Sequence, residues 1–233
     1  MNAVVTGGSK GIGKAIVEVF AEEQMNIAIC SRSIEDLESY KADLNTRFPD
    51  IEILIFQADL SKKEETIALA DFIKSKWEKI NVLVNNAGVF LPGEVHKEAD
   101  GILENQIETN LYSAYYFTRA LMPVFLEQKE GYIFNICSIA SRIAYPNGGS
   151  YSISKFALLG FSKVLREELK DKGIKVSAIL PGATWSNSWA GADLPHERIM
   201  EAKDIAYPII AALKMSKSAV MEEIVLRPQL GDL

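Results

Sequence analysis

Short, continuously apolar runs alternate along this chain with longer stretches in which apolar residues recur every three or four positions. The runs read as strands near 2–6, 26–31, 51–58, 80–85, 131–137, 174–180 and 222–227. The periodic stretches predict helices at 11–24, 33–48, 62–78, 98–127 with a break or bend, 149–171 and 202–214. Runs such as Ile27-Ala28-Ile29-Cys30 and Val82-Leu83-Val84 carry no polar alternation, as strands covered on both faces require. Strands that alternate with helices build βαβ units. The expected fold is therefore α/β, a doubly wound parallel sheet of about seven strands with helices on both faces, in a single domain over 1–233. The one long irregular stretch, 182–201, has the length of a lid or binding element and is expected to be a substrate-binding loop.

Three segments of this pattern carry chemistry. Tyr151 and Lys155 stand four positions apart on a helix, so phenol and ammonium share a face. A fixed cation stabilises the phenolate and is expected to draw the phenol from its usual pKa of about 10 toward neutrality, which makes the pair an acid/base device. Ser138 follows the apolar run Tyr132-Ile133-Phe134-Asn135-Ile136-Cys137, at the strand edge where open α/β sheets place ligands. Near the N-terminus, strand Ala3-Val4-Val5 runs into Thr6-Gly7-Gly8-Ser9-Lys10-Gly11-Ile12-Gly13 and then a helix. Glycines there allow close backbone approach, and free amides at the helix start face an anion, the parts of a dinucleotide-phosphate cradle.

The glycines follow a Gly-x-x-x-Gly-x-Gly spacing, and with Asn85-Asn86-Ala87-Gly88, Asn110, Ser138, Tyr151-x-x-x-Lys155 and Pro181-Gly182 they stand in the order of the classical short-chain dehydrogenases/reductases. The chain resembles that family from residue 2 to about residue 230, and its nearest kind of annotation would be a 3-oxoacyl-carrier-protein reductase-like enzyme. The resemblance implies a Rossmann fold with strand order 3-2-1-4-5-6-7 and reversible hydride transfer between a nicotinamide and a carbonyl or secondary alcohol. It makes Asn110, Ser138, Tyr151 and Lys155 the catalytic set. Ser138 would hydrogen-bond the substrate oxygen, Tyr151 would protonate it, and Lys155 would contact the nicotinamide ribose and lower the Tyr151 pKa. Asn110 would bend its helix and hold a water that reconnects Lys155 to solvent.

Cofactor contact is expected from Gly7, Ser9, Lys10, Gly11, Ile12, Gly13, Ser31, Arg32, Asp59, Leu60, Asn86, Ala87, Gly88, Pro181, Gly182 and Thr184, together with Tyr151 and Lys155. Asp59 would lie against the adenine ring, or cap the helix that starts near Ser61. Asn85 is expected to be scaffolding, and either Thr184 or Ser186 would hold the nicotinamide amide, Thr184 being favoured. The second strand ends in Cys30-Ser31-Arg32-Ser33 with no carboxylate before Glu35, where an NAD site would carry an acid for the ribose 2′-hydroxyl. Arg32, Lys10, Ser31 and Ser33 could instead surround a 2′-phosphate. The expected cofactor is NADP(H), in preference to NAD(H).

Composition narrows the picture further. With 48% hydrophobic and 24% charged residues in 233, the chain has an ordinary globular make-up. A formal net charge of −6 offers no basic face for nucleic acid. No apolar run reaches the ~18 residues of a membrane span, and the first strand leaves no room for a leader, so a cytoplasmic location without membrane contact is expected. Cys30 and Cys137 fall in strands as small buried thiols, and His96 and His196 form no metal-ligand pattern, so neither a disulfide nor a metal is expected. Val89-Phe90-Leu91, Ile139 to Tyr145, Trp185 and Trp189 would line an apolar or aromatic substrate pocket, with Arg142 as a candidate anion contact. An acyl-thioester ketone, a small ketone or aldehyde, and a pteridine or sugar-derived carbonyl all fit. Helices around Leu111 to Phe125 and Phe156 to Phe161 are apolar around most of their circumference, which predicts a homodimer or homotetramer, with Glu222 to Arg227 a possible second interface strand. Rival readings are an NADP(H)-binding sensor with little turnover and an NAD-dependent alcohol dehydrogenase.

Overall fold

The computed structural model describes residues 1–233 except 187, 188 and 190. Seven strands form one parallel sheet: β1 (Asn2–Thr6), β2 (Asn26–Ser31), β3 (Ile53–Gln57), β4 (Val82–Asn85), β5 (Gly131–Ile136), β6 (Ile174–Pro181) and β7 (Glu223–Leu226). They lie side by side in the order β3-β2-β1-β4-β5-β6-β7. The helices are α1 (Gly11–Glu22), α2 (Ile34–Arg47), α3 (Lys63–Lys76), α4 (Ile102–Ile107), α5 (Ser113–Gln128), α6 (Gly149–Leu169) and α7 (Lys203–Leu213). Element types and sheet order match the expectation from the sequence, with ends trimmed by a few residues.

The absence of polar alternation in the strands has a direct cause, since each strand from β1 to β6 feeds two cores. Ala3 and Val5 of β1 join Ile27, Ile29, Val82 and Val84 in a cluster with Ile16 and Phe20 of α1 and Ile205 and Ile209 of α7. Val4, one residue out of phase, points the other way and joins Ala28, Leu83 and Ile133 under Leu69 and Ile73 of α3 and Phe117, Leu121 and Phe125 of α5. Register enforces this sorting, because Val4 pairs with both Ala28 and Leu83 across the ladder. Phe20, Phe117, Phe125 and Phe134 are fully buried, each contributing about 2–3 kcal/mol of transfer free energy.

Between α4 and α5 the helix widens into a π-helical turn, Glu108–Tyr112, with Asn110 at its centre. The bend expected within 98–127 is this turn, and residues 98–101 lie outside the helix. Chain direction across the sheet reverses between β1 and β4, because β1 leads outward to β2 and β3 before the chain returns to β4. The carboxyl ends of β1 and β4 therefore flank an open crevice, the usual ligand position in such a sheet.

Candidate active site and cofactor cleft

A cleft of about 780 Å³ opens at that switch point and runs past the carboxyl ends of the strands. Its floor is built by the turn after β1. Thr6 Oγ1 accepts from the backbone N–H groups of Asn86 at 2.9 Å and Ala87 at 3.0 Å, and Asn86 Nδ2 donates to the carbonyls of Thr6 at 2.9 Å and Gly7 at 3.2 Å. The two strand ends are thereby locked together below the glycine turn. A Cβ on Gly13 would collide with the Gly7 carbonyl and the Asn86 amide, so glycine is needed there for α1 to start this close to the turn. Asn85 is turned away, donating to Thr118 Oγ1 at 2.9 Å and Asn135 Oδ1 at 2.8 Å, which is scaffolding.

Every expected cofactor-contact residue lines this cleft, from Gly7 and Arg32 at one end to Pro181, Gly182 and Thr184 at the other. Thr184 is buried and its hydroxyl donates to the Gly182 carbonyl at 3.0 Å, with Ser186 also on the wall. Asp59 does not cap α3; its carboxylate accepts from Ser61 N at 3.1 Å and Ser61 Oγ at 2.8 Å, an Asx-type turn ahead of a helix capped at Lys62. The expected phosphate-binding quartet is partly engaged elsewhere. Lys10 pairs with Asp36 at 2.7 Å, Ser33 accepts from Asp36 N at 3.1 Å as the cap of α2, and Ser31 Oγ donates to the Ser33 carbonyl at 3.0 Å. Arg32 lines the cleft with an exposed side chain, close enough to Asp59 to help hold that carboxyl below its ordinary value.

At the other end stand Ser138, Tyr151 and Lys155, carried by the carboxyl end of β5 and the first turns of α6. The start of α6 is fixed by Glu98, whose carboxylate accepts from Ser150 N at 3.0 Å and from the Ser150 hydroxyl. Ser138 opens a tight turn, Ile139–Ser141: its hydroxyl accepts from Ala140 N at 3.1 Å, and Ser141 Oγ accepts from Ser138 N at 3.2 Å. Phe90 packs edge-on against Tyr151 with ring centres 4.8 Å apart. Lys155 Nζ donates to the Ile136 carbonyl at 2.8 Å and lies 5.8 Å from the centre of the Tyr151 ring.

The electrostatics correct one expectation. Tyr151 is not drawn toward neutrality; burial holds its phenol above the ordinary value, with the Ser138 hydroxyl offsetting part of that shift. Burial also lowers the Lys155 ammonium to about 8, because the nearest acceptor is an uncharged carbonyl. Desolvation is thus the largest influence on both groups.

Asn110 is fully buried behind Lys155. Its Oδ1 accepts from Val89 N at 2.7 Å, and its Nδ2 donates to the Val89 carbonyl at 3.0 Å and to Ser154 Oγ at 2.9 Å. The side chain therefore clamps the segment after β4 to α6. Val89, Phe90, Ile139, Ile143, Tyr145 and Trp189 line the cleft as expected, whereas Leu91, Ala140, Ser141, Arg142, Ala144 and Trp185 do not. Trp185 stacks on His196 and donates to its carbonyl at 2.7 Å, Leu91 is exposed, and Arg142 is paired with Glu223. Asn105, Thr109, Asp232 and Leu233 also line the wall without having been singled out in the sequence, and Arg227, expected at the end of an interface strand, lines it too. Among the described residues, no three His, Cys, Asp or Glu side chains cluster as metal ligands, and no helix is long and apolar enough to cross a membrane.

This geometry coincides with a family pattern, since residues 1–194 match the family model described as short chain dehydrogenase. The chain belongs to the short-chain dehydrogenase family. Among curated members, the sepiapterin reductase of Chlorobaculum tepidum is 30% identical over 238 aligned positions, covering 99% of this chain and 97% of that one. Among solved members, a metagenomic short-chain oxidoreductase in complex with NADP is 28% identical, with a TM-score of 0.85 over 98% of this chain and 97% of that one. The L-sorbose reductase of Gluconobacter frateurii, solved with NADPH and L-sorbose, is 25% identical, with a TM-score of 0.88 over 97% of this chain and 95% of its own. As a short-chain dehydrogenase the protein is an oxidoreductase.

Proposed function

We propose that this short-chain dehydrogenase is an NADP(H)-dependent reductase of compact carbonyl compounds, acting through its whole chain as one catalytic domain. The observation that carries the reading is the convergence of Ser138, Tyr151 and Lys155 on the same cleft as the glycine turn of β1 and α1. The residues present fit a nicotinamide dinucleotide: the glycine turn leaves space where a Cβ would intrude, Asn86, Ala87 and Gly88 form a small-residue floor, and Thr184 sits opposite. When bound, that cofactor exchanges a hydride with the carbonyl carbon.

The chain's own residues supply the rest of the chemistry. Ser138 donates a hydrogen bond to the substrate oxygen and holds it toward the phenol. Tyr151, kept neutral by burial, is in the form that gives a proton to that oxygen in reduction. Lys155, poised near 8, holds a proton beside Tyr151 and hydrogen-bonds the nicotinamide ribose, and its charge stabilises the phenolate as it forms. Phe90 covers one edge of the Tyr151 ring, and of the expected substrate loop 182–201, which lies partly outside the described residues, Thr184, Ser186 and Trp189 line the cleft.

Arg32 at the end of β2 supports NADP(H) as the preferred cofactor, and the pairing of Lys10 with Asp36 favours incomplete rejection of NAD(H). The relatives named as sepiapterin and L-sorbose reductases support pteridine- or sugar-derived carbonyls as first candidates. Exposed Tyr112, Tyr115 and Leu126 at the start of and along α5, with Ile153, Phe156 and Val164 on α6, support a homo-oligomer built through those helices. We place the protein in the cytoplasm. The test is loss of NADPH absorbance with a panel of pteridine, sugar-derived and simple carbonyls, in which turnover by the native protein and its absence in Tyr151→Phe is the expected result. No turnover on any of them would reject the reading.

A further inference from the structure

The catalytic end of the cleft is lined in part by a segment far from the sequence motifs. Beyond β7 the chain turns back at Pro228, whose carbonyl accepts from Gly231 N at 2.9 Å, and brings Asp232 and Leu233 onto the cleft wall with Arg227. Four groups hold it there. Arg198, in the stretch after β6, donates to the Gly231 carbonyl at 2.9 Å and to the Asp232 carbonyl at 3.3 Å. Arg227 Nε and Nη2 grip Asp232 Oδ2 at 2.7 and 2.6 Å, and Asp232 Oδ1 accepts from Ala183 N at 3.3 Å. Gly182 is required for this docking, because a Cβ there would collide with the Asp232 carboxylate.

Asp59 and Asp232 are the two acidic side chains among the described residues of the cleft, and they stand at opposite ends. Tyr145 and Tyr151 line the same cleft as Asp232, and burial first, with Tyr151 and the Asp232 charge adding to it, pushes the Tyr145 phenol up to about 12. Bidentate contact with Arg227 neutralises that charge, so the tail presents a paired acceptor and donor and not a net anion.

We propose that residues 228–233, pinned by Arg198, Arg227 and Asp232, set the substrate range of this enzyme. They wall off the catalytic end against bulky carbonyls and offer a polar edge to compact, hydrogen-bonding ones. The inference rests on the reductase reading above and deepens it. Differential fit of this kind is worth tenfold or more per group excluded.

The experiment compares the native protein with a variant lacking residues 228–233 and with Asp232→Asn and Arg198→Ala. The readouts are kcat/KM with NADPH for a polyhydroxy ketone and for an aryl-substituted ketone, and calorimetric affinity of the same ketones for the protein loaded with NADP+, which cannot turn over. The expected result is a shift in the bulky-to-compact ratio of about tenfold or more toward the bulky ketone on removal of the tail, with a smaller shift in the same direction in both point variants. The compact ketone should lose through KM, with kcat little changed. An unchanged ratio in a truncated protein that still binds NADPH would overturn the proposal, as would unchanged ratios in both point variants should the truncated chain fail to fold. Absence of turnover throughout would reject the reductase reading, while the affinities of the NADP+-loaded protein would still decide the wall.

Discussion

Lys10 and Asp36 form an ion pair of 2.7 Å across the mouth of the cofactor cleft, joining the glycine turn to the first turn of α2. The cation best placed to meet a 2′-phosphate is thus already matched to a carboxylate of its own chain. Both side chains are substantially exposed, so the pair is worth no more than about 1 kcal/mol. Asp36→Asn keeps the backbone N–H that bonds the Ser33 cap and frees Lys10. The NADPH/NADH ratio of kcat/KM should rise about two- to fivefold, in line with that energy. Arg32→Asp should move the same ratio strongly the other way. Equal ratios in native protein and both variants would remove these residues from cofactor selection.

That pair also marks what the sequence could and could not convey. The alternation of strands and helices and the positions of Ser138, Tyr151 and Lys155 follow from local patterns, because apolar runs and an i, i+4 spacing are fixed by neighbouring residues, whereas the sheet order is what the family resemblance implies. The partner of Lys10 was less legible, since Asp36 reaches it only once β2 brings α2 beside the glycine turn. Asp232 was illegible for the same reason on a larger scale: fifty residues separate it from Gly182, and only the pairing of β6 with β7 brings them together. The Tyr151 pKa was misjudged because spacing reveals a neighbouring charge but not the burial that opposes it.

Tyr151→Phe should lower kcat by a factor of about 10² to 10⁴, the range for loss of a positioned proton donor. The ring packing on Phe90 needs no hydroxyl, so NADPH affinity by fluorescence titration should stay near native. Retained turnover would transfer the proton-donor role to a different group.

Asn110→Ala deletes three hydrogen bonds, one buried and two part-buried, and leaves both polar groups of Val89 without their partner. Its cost should be about 2–4 kcal/mol of unfolding free energy in urea, from about 1 kcal/mol per bond and the penalty of a stranded buried amide. A cost below 1 kcal/mol would mean that water replaces the clamp. Because Val89 lies on the substrate wall, KM should rise in the same variant.

Gly13→Ala places a methyl group against the Gly7 carbonyl and the Asn86 amide, both parts of the backbone lock under the cofactor cleft. The turn must move to accept it, and NADPH affinity by calorimetry should fall at least tenfold, as for one misplaced hydrogen-bonded contact. Native affinity would show that the turn has slack the structure does not suggest.

Lys155 ties the catalytic pair to stability through pH. Its ammonium ionises at about 8 in the folded protein, against about 10.5 for an unperturbed lysine. Below pH 8 both folded and unfolded chains carry the proton, and the folded state bears the full cost of burying the charge. Above pH 8 the folded protein has released a proton that the unfolded chain still holds, so native stability should rise with pH. The slope is on the order of 1.4 kcal/mol per pH unit at its steepest. Lys155→Met removes the titrating group, so the native-minus-variant difference in unfolding free energy should be flat below pH 8 and climb above it. Stopping at about pH 9.5 keeps ordinary phenols, which ionise near 10, out of the comparison. The absolute sign of the difference depends also on the hydrogen bond to the Ile136 carbonyl, which methionine cannot make, but that contribution changes little with pH until the amine loses its charge. Urea unfolding at a series of pH values reads the difference directly. A flat profile up to pH 9.5 would mean that the ammonium is solvated in the folded protein and that burial does not lower its pKa.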